Sequence, residues 1–469
     1  MTDTALDATA MAALVASGEA SPTELVSAAI RRIEELDGRV NAVVHRRFEQ
    51  ALDEAAGPLP DGPFRGVPIV LKDLRSGSAG DPDHQGNAFL RGIDYRAAHD
   101  ANVTAALRRA GFVVLGRTNT PEFGLVSTTE PRATGPTRNP WDLTRSPGGS
   151  SGGSAVAVAT GMVPLAQGTD GGGSLRMPSS HCGVFGFKSS RGRVSAGPDE
   201  GDALAAHNIY GVITRTVRDS AATLDAISGY HSGDPVVAPA PSRSFLSSVS
   251  DAPGSLRIGV MLVEDVNGYA VDPRVNAVVR RTADRLTALG HHVEEAYPAA
   301  MTDPAYLGHW LGLLSPSVTV LMDDLAAMAG RPLRRDEFEE VTWWWAEQGA
   351  KVSAADYVRH ETWRDDFRRR MASWWTGGFD LLLSPVVPNP PPPLGLFDGP
   401  DGIQRSIDIL CFTPQFNTTG QPAMAVPAAR TEEGLPIGVQ FAAAYGREET
   451  LFSLAGQLEA AHPWIGALA

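Results

Sequence analysis

Two stretches of this 469-residue chain set glycines against serines at close spacing: "SPGGSSGGS" at 146–154 and "GTDGGGSLR" at 168–176. Glycine gives up more backbone freedom on folding than any other residue, so such tracts need a purpose. A flexible linker fits poorly, because both runs adjoin apolar segments that need burial. A phosphate cradle fits little better. A P-loop needs a Lys-Ser/Thr pair after the glycines, and a dinucleotide fingerprint needs GxGxxG between strand and helix. The third use is an oxyanion hole, in which the backbone N–H groups of Gly171, Gly172 and Gly173 converge beside Ser174. Each such donor is worth roughly 3 kcal/mol to a transition state that builds negative charge on oxygen.

A serine hydroxyl is a weak nucleophile and needs a base. His181 is the nearest histidine, but "SSHCG" gives it no special spacing, and the GxSxG elbow is absent from "GGSLR". Lys72 is the other candidate. It ends the apolar run "GVPIVLK", where desolvation favours the neutral amine; its alternative is an ordinary ion pair with Asp73. Bringing a lysine from about 10.4 to near 7 costs the charged form roughly 4–5 kcal/mol.

These residues must be held by a fold, and the pattern around them is alternating. "SPTELVSAAIRRIEELDG" predicts a helix with Ser21 as N-cap, Pro22 at the first position, Glu24 closing a capping box and Gly38 as the stop. A buried strand follows over Val67–Leu71, then a helix in "DANVTAALRRAG" and a strand over Phe112–Leu115. "GGSAVAVATG" and "MVPLAQGTD" repeat the unit. Residues 232–255 read as a surface connection, and 304–376 as largely helical. Six of the nine tryptophans lie from Trp343 to Trp375, where helical spacing favours core packing over a substrate funnel. "PNPPPPLGLFDGPDG" at 388–402 reads as a loop, either over the site or on the surface. The alternation predicts an α/β chain, one large domain over 1–469, with a mixed sheet covered by helices on both faces.

Composition narrows the partners. A net charge of −14 with no Lys/Arg-rich run opposes binding to a phosphate backbone, so no nucleic acid is expected. Two distant cysteines without CxxC spacing suit a reducing compartment and offer no zinc site. The first residues lack a basic leader segment, and "AVAVATGMVPLA" is too short and too broken to cross a bilayer. A cytoplasmic protein with no membrane partner is the expectation.

Taken together, "GVPIVLKD", "GRTNTPEFG", "TRNPWDLTRSPGGSSGGSAVAVATG", "GTDGGGSLRMPSSHCGVFGFK", "FNTTGQPAMAVP" and "GLPIGVQF" resemble the amidase signature family over nearly the whole chain. The resemblance implies that family's α/β fold, with a signature core near 60–230 and a helical insertion near 304–376. It also implies a Ser–cis-Ser–Lys triad. Ser174 would be the nucleophile, Ser150 the relay in a cis peptide after Gly149, and Lys72 the base. Gly171, Gly172 and Gly173 would form the oxyanion hole, with Gly149, Ser151, Asp170 and Arg176 in support. No metal and no cofactor is implied. Three positions depart from the family pattern: Ser189 replaces a usual proline, Ser179 a common alanine and Gly171 a frequent threonine. Leu125, after "TPEFG", would border the acyl side.

Within the family, "YRAAHDANV", "TTEPRATGPTRNPW", "AYPAA" and "AAAYGREE" are most similar to the branch that breaks down nylon oligomers. The expectation is a monomer or homodimer hydrolysing small-molecule amides through an acyl-enzyme. Carbamate or aryl-amide hydrolysis is the alternative. An ammonia-releasing amidotransferase subunit and a non-catalytic binding relative are the more distant readings.

Overall fold

The computed structural model describes residues 6–464 apart from Asp202 and Pro400. Residues 1–5, part of the stretch read for a leader, and Pro400, inside 388–402, lie outside the described residues. Among the described residues the strands are β1 (Val43–Arg46), β2 (Pro68–Lys72), β3 (Val113–Thr118), β4 (Leu165–Asp170), β5 (Phe185–Lys188), β6 (Ile209–Thr214), β7 (Arg257–Val260), β8 (Asp265–Val266), β9 (Tyr269–Ala270), β10 (His292–Glu295), β11 (Leu381–Pro385), β12 (Ala423–Arg430) and β13 (Pro436–Ala443). Eleven form one sheet in the order β1-β3-β2-β4-β6-β5-β12-β13-β11-β7-β10, and β8 and β9 form a separate ribbon. β2 runs parallel to β3 and β4, and β7 runs parallel to β10 and β11. The remaining pairs in the sheet are antiparallel. The sheet is mixed, as the alternation predicts.

Strand residues alternate between faces, and the apolar clusters follow that alternation. Ile69 and Leu71 join one cluster with Phe112, Val114 and residues of the helices Val217–Ile227 and Glu448–Ala461. Val70, between them, joins the other with Val113, Leu115 and the helices Pro22–Val40 and Gly152–Ala159. Helices therefore cover both faces. Lys72 follows Val70 by two residues, which turns it toward the side where the helix Gly152–Ala159 begins.

Several boundaries shift from those read in the sequence. Ser21 caps the first long helix with a complete capping box, but the helix passes through Gly38 and ends at Val40. Asn41 supplies the left-handed turn at φ 54°, and the buried Asp37 carboxylate accepts the N–H groups of Ala42 and Val43. β2 begins one residue late and includes Lys72, and β3 extends to Thr118. The 232–255 connection contains a short helix, Phe245–Val249. Residues 304–376 fold as three helices, Tyr306–Ala329, Glu340–Gly349 and Ala354–Thr376, inserted between β10 and β11. The first has the length and composition of a membrane span, with mean hydropathy 1.3. It is longer than the apolar stretch 155–166 considered above, and its Pro316 is accommodated inside the helix.

Candidate active site

Lys72, the last residue of β2, is fully buried, and its Nζ lies 2.7 Å from Ser150 Oγ and 2.8 Å from Thr169 Oγ1. Burial pushes the amine well below the ordinary lysine range. The Asp170 charge opposes that shift and the Arg75 charge adds to it. Two hydroxyls suit a neutral amine, which has N–H groups to donate and one lone pair to accept. Asp73 is not the ion-pair partner of Lys72. It packs instead beside Arg117, 3.5 Å away, and burial pushes its carboxyl up to about 7.

The first glycine–serine run places Ser150 at the start of the helix Gly152–Ala159, on the far side of a cis Gly149–Ser150 peptide. A side chain at Gly149 would put its Cβ 2.3 Å from the Thr128 carbonyl oxygen, so glycine is what lets the two backbones touch. Ser151 joins this run to the second. Its N–H donates to the Ser174 carbonyl at 3.2 Å, and its hydroxyl donates to the Thr169 carbonyl at 3.1 Å.

The second run leaves β4 at Asp170 and turns through three glycines to Ser174. Asp170 and Arg176, both fully buried, form a two-pronged ion pair at 2.8 and 2.9 Å. Arg176 also donates to the Thr413 carbonyl, Gln440 Oε1 and Asn417 Oδ1, and Asn417 donates back to Asp170. The pair holds the Asp170 carboxyl below the usual range despite its burial. Asp170 also accepts the N–H of Gly173 at 2.7 Å and of Leu175 at 3.2 Å.

That bond corrects one sequence expectation. The Gly173 N–H is committed to Asp170 and is not free for an oxyanion. The N–H groups of Gly171 and Gly172 have no acceptor among the described residues. Gly173 instead shapes the loop, with φ at 129° and its Cα side packed on Thr413.

Ser150, Ser174, Gly171 and Gly172 line one cleft. Its other walls are mostly apolar, including Phe123, Leu125, Leu314, Trp310 and Trp345, while Arg75 and Asn208 stand at one side. Of the six clustered tryptophans only Trp345 reaches the cleft, edge-on to Trp310 at 5.8 Å. No described residue of 388–402 lines it; the proline stretch packs on Arg145 and Ser146 instead. His181 is also outside the lining, and burial drives its imidazole down to about 4.

Two departures from the family pattern have local answers. The Ser179 hydroxyl donates to the Leu175 carbonyl at 2.7 Å and fits because Gly186 faces it. A side chain at Gly171 would meet only Leu204, at 3.7 Å, so the loop has room there. The Ser189 hydroxyl is buried without a partner, and nothing in the structure explains it. Thr169 and Asn417 lie in motifs quoted above, yet their contacts carry no sequence signature. Gln440, within "GLPIGVQF", is silent in the same way, and Thr413 and Arg75 have no local signal at all, because they reach the site from a distant segment or a turn.

Known proteins share the sequence and the fold. A family model for Amidase matches residues 24–452. Two relatives, each a 6-aminohexanoate-cyclic-dimer hydrolase, come from Pseudomonas sp. (strain NK87) and Paenarthrobacter ureafaciens. They are 42% identical over 98% of this chain and 95% of theirs. An acylamidase from Rhodococcus erythropolis is 33% identical over 98% of this chain and 96% of its own. The solved structure of 6-aminohexanoate cyclic dimer hydrolase complexed with substrate matches with a TM-score of 0.95 at 41% identity, covering 100% of both chains. On sequence and on structure, the chain belongs to the amidase signature family.

Proposed function

We propose that this amide hydrolase, acting as one domain, cleaves small-molecule C–N bonds through an acyl-enzyme on Ser174, with Lys72 as base and Ser150 as proton relay. Cyclic or linear oligomers of 6-aminohexanoate are the substrates we assign to it. The observation that carries the reading is the fully buried Lys72 amine at 2.7 Å from Ser150 Oγ, held below its ordinary range by burial. The likeness to the cyclic-dimer hydrolases supports the substrate.

In the first half-reaction the neutral Lys72 amine takes the Ser150 proton while Ser150 takes that of Ser174. Ser174 Oγ bonds to the amide carbon, and the oxygen's new negative charge is met by the N–H groups of Gly171 and Gly172. The C–N bond then breaks, and the relay returns its proton to the departing nitrogen. Water attacks the resulting ester, its proton enters the same relay, and the acid leaves with Ser174 restored.

The aromatic cleft wall of Phe123, Trp310 and Trp345 supports a second reading, in which aryl amides and carbamates are also cleaved. A hydrolysis screen over the cyclic dimer, linear amides, anilides and carbamates separates the two. Mass spectrometry of trapped enzyme should place the acyl group on Ser174, and Ser174→Ala should abolish it. An adduct on another residue, or no C–N cleavage of any substrate, would overturn the reading.

A further inference from the structure

Among the described residues Arg75 is the one guanidinium that lines the cleft, three residues beyond Lys72. Its backbone sits at φ 59°, a region that non-glycine residues enter rarely. The turn is braced: the Tyr210 hydroxyl lies 3.0 Å from the Arg75 carbonyl oxygen and 2.9 Å from Glu200 Oε2. Asn208, which also lines the cleft, donates to the same Glu200 oxygen at 3.2 Å.

A guanidinium carries five N–H donors in a rigid fork. Glu200 engages Arg75 through Nη1. The Nε–H has no acceptor, and no other side chain or carbonyl among the described residues takes a donor from this group. A braced arginine with idle donors stands in a mostly apolar cleft. Glu200 already balances its charge, so it offers N–H dipoles with little net charge. That matches a neutral carbonyl oxygen better than a carboxylate.

We propose that Arg75 is a specificity-determining residue that receives a second carbonyl oxygen of the substrate, so that the cleft selects amides carrying two such groups. This rests on the amide-hydrolase reading above and names the feature of the substrate that the site reads besides the scissile bond.

The test compares three linear substrates of matched chain length: a monoamide, a diamide and an amide ending in a carboxylate. In the wild-type enzyme kcat/KM for the diamide should exceed that for the monoamide by roughly tenfold or more. In Arg75→Leu that ratio should fall to about one. Taking the ratio within each variant cancels any effect of the lost charge on Lys72. Arg75→Lys, which keeps the charge but not the fork, should also lower the ratio and serves if the leucine variant does not fold. Glu200→Gln should shift preference toward the carboxylate substrate. A wild-type ratio near one, a ratio that survives in both Arg75 variants, or a wild-type preference for the carboxylate would overturn the proposal. Monoamide hydrolysis with a Ser174 adduct but no preference would sink only this inference, whereas no hydrolysis of any of the three would sink the reading it rests on.

Discussion

Asp170 grips Arg176 with both carboxylate oxygens, at 2.8 and 2.9 Å, and neither side chain is exposed. The same carboxylate ties down the N–H groups of Gly173 and Leu175 on either side of Ser174. An ion pair so placed does little as a net source of stability. Its work is to fix a glycine loop that has no side chains to fix itself.

Asp170→Asn should leave a buried guanidinium without a counter-charge and lower unfolding stability by about 3–5 kcal/mol. Adding Arg176→Met should recover part of the loss. Denaturant titration of the two singles and the double measures this as a coupling energy. Simple additivity of the two changes would refute it.

Lys72→Met should lower kcat/KM by about 10²–10⁴-fold while raising stability at neutral pH. The sign follows from burial. The folded state holds the amine below its ordinary range, so between that lowered value and the unfolded value of 10.5 the unfolded chain binds more protons. Wild-type stability therefore falls as pH falls through this window. The advantage of Lys72→Met should be greatest at its lower edge and vanish above the unfolded value. Thermal midpoints of both proteins from pH 7 to 10 check it, and an advantage that grows with pH would contradict it.

The same shift sets the direction of the activity profile. Wild-type kcat/KM should rise with pH as the Lys72 ammonium gives up its proton, with an acid limb well below the ordinary lysine value. A limb at that ordinary value would mean that the buried amine is not the base.

Gly173→Ala should be far more damaging than Gly171→Ala. At 173 a Cβ would lie 2.4 Å from Thr413 Oγ1 on a backbone at φ 129°, whereas at 171 it would meet Leu204 at 3.7 Å. We expect a loss of roughly 100-fold or more in kcat at 173 and less than about tenfold at 171. Equal effects would mean the loop is not held as described.

Glu122→Ala tests the cleft wall. The buried Glu122 carboxylate accepts from Asn87 Nδ2 at 2.9 Å, the Glu339 N–H at 2.8 Å and the Thr342 hydroxyl at 2.6 Å. It thereby ties the Phe123 segment to the helix that carries Trp345. Three orphaned donors should cost about 3 kcal/mol, with KM raised several-fold and kcat changed less. A fall in kcat at constant KM would argue against this role.

The groups to which we assign the chemistry were legible because each leaves a local mark. Gly149 is glycine where two backbones touch, and Lys72 is a cation that ends an apolar run. The Gly173 expectation failed because a sequence shows that N–H groups can converge but not which of them a neighbouring carboxylate will claim. Gly38 failed as a stop because the Asp37 carboxylate and Asn41 together end the helix three residues later. Thr169, Gln440 and Arg75 were silent for a different reason. Their roles depend on contacts between distant segments, or on a backbone turn that an arginine does not advertise.

The Ser174 loop, the Ser150 turn and Lys72 all belong to the stretch from β2 to the helix after β4, whereas Trp310, Leu314 and Trp345 come from helices spliced in between β10 and β11. Part of the cleft wall is thus carried on a separate length of polypeptide from the groups to which we assign the chemistry. Mutation can redraw what this enzyme accepts, helix by helix, without disturbing the machinery that does the cutting.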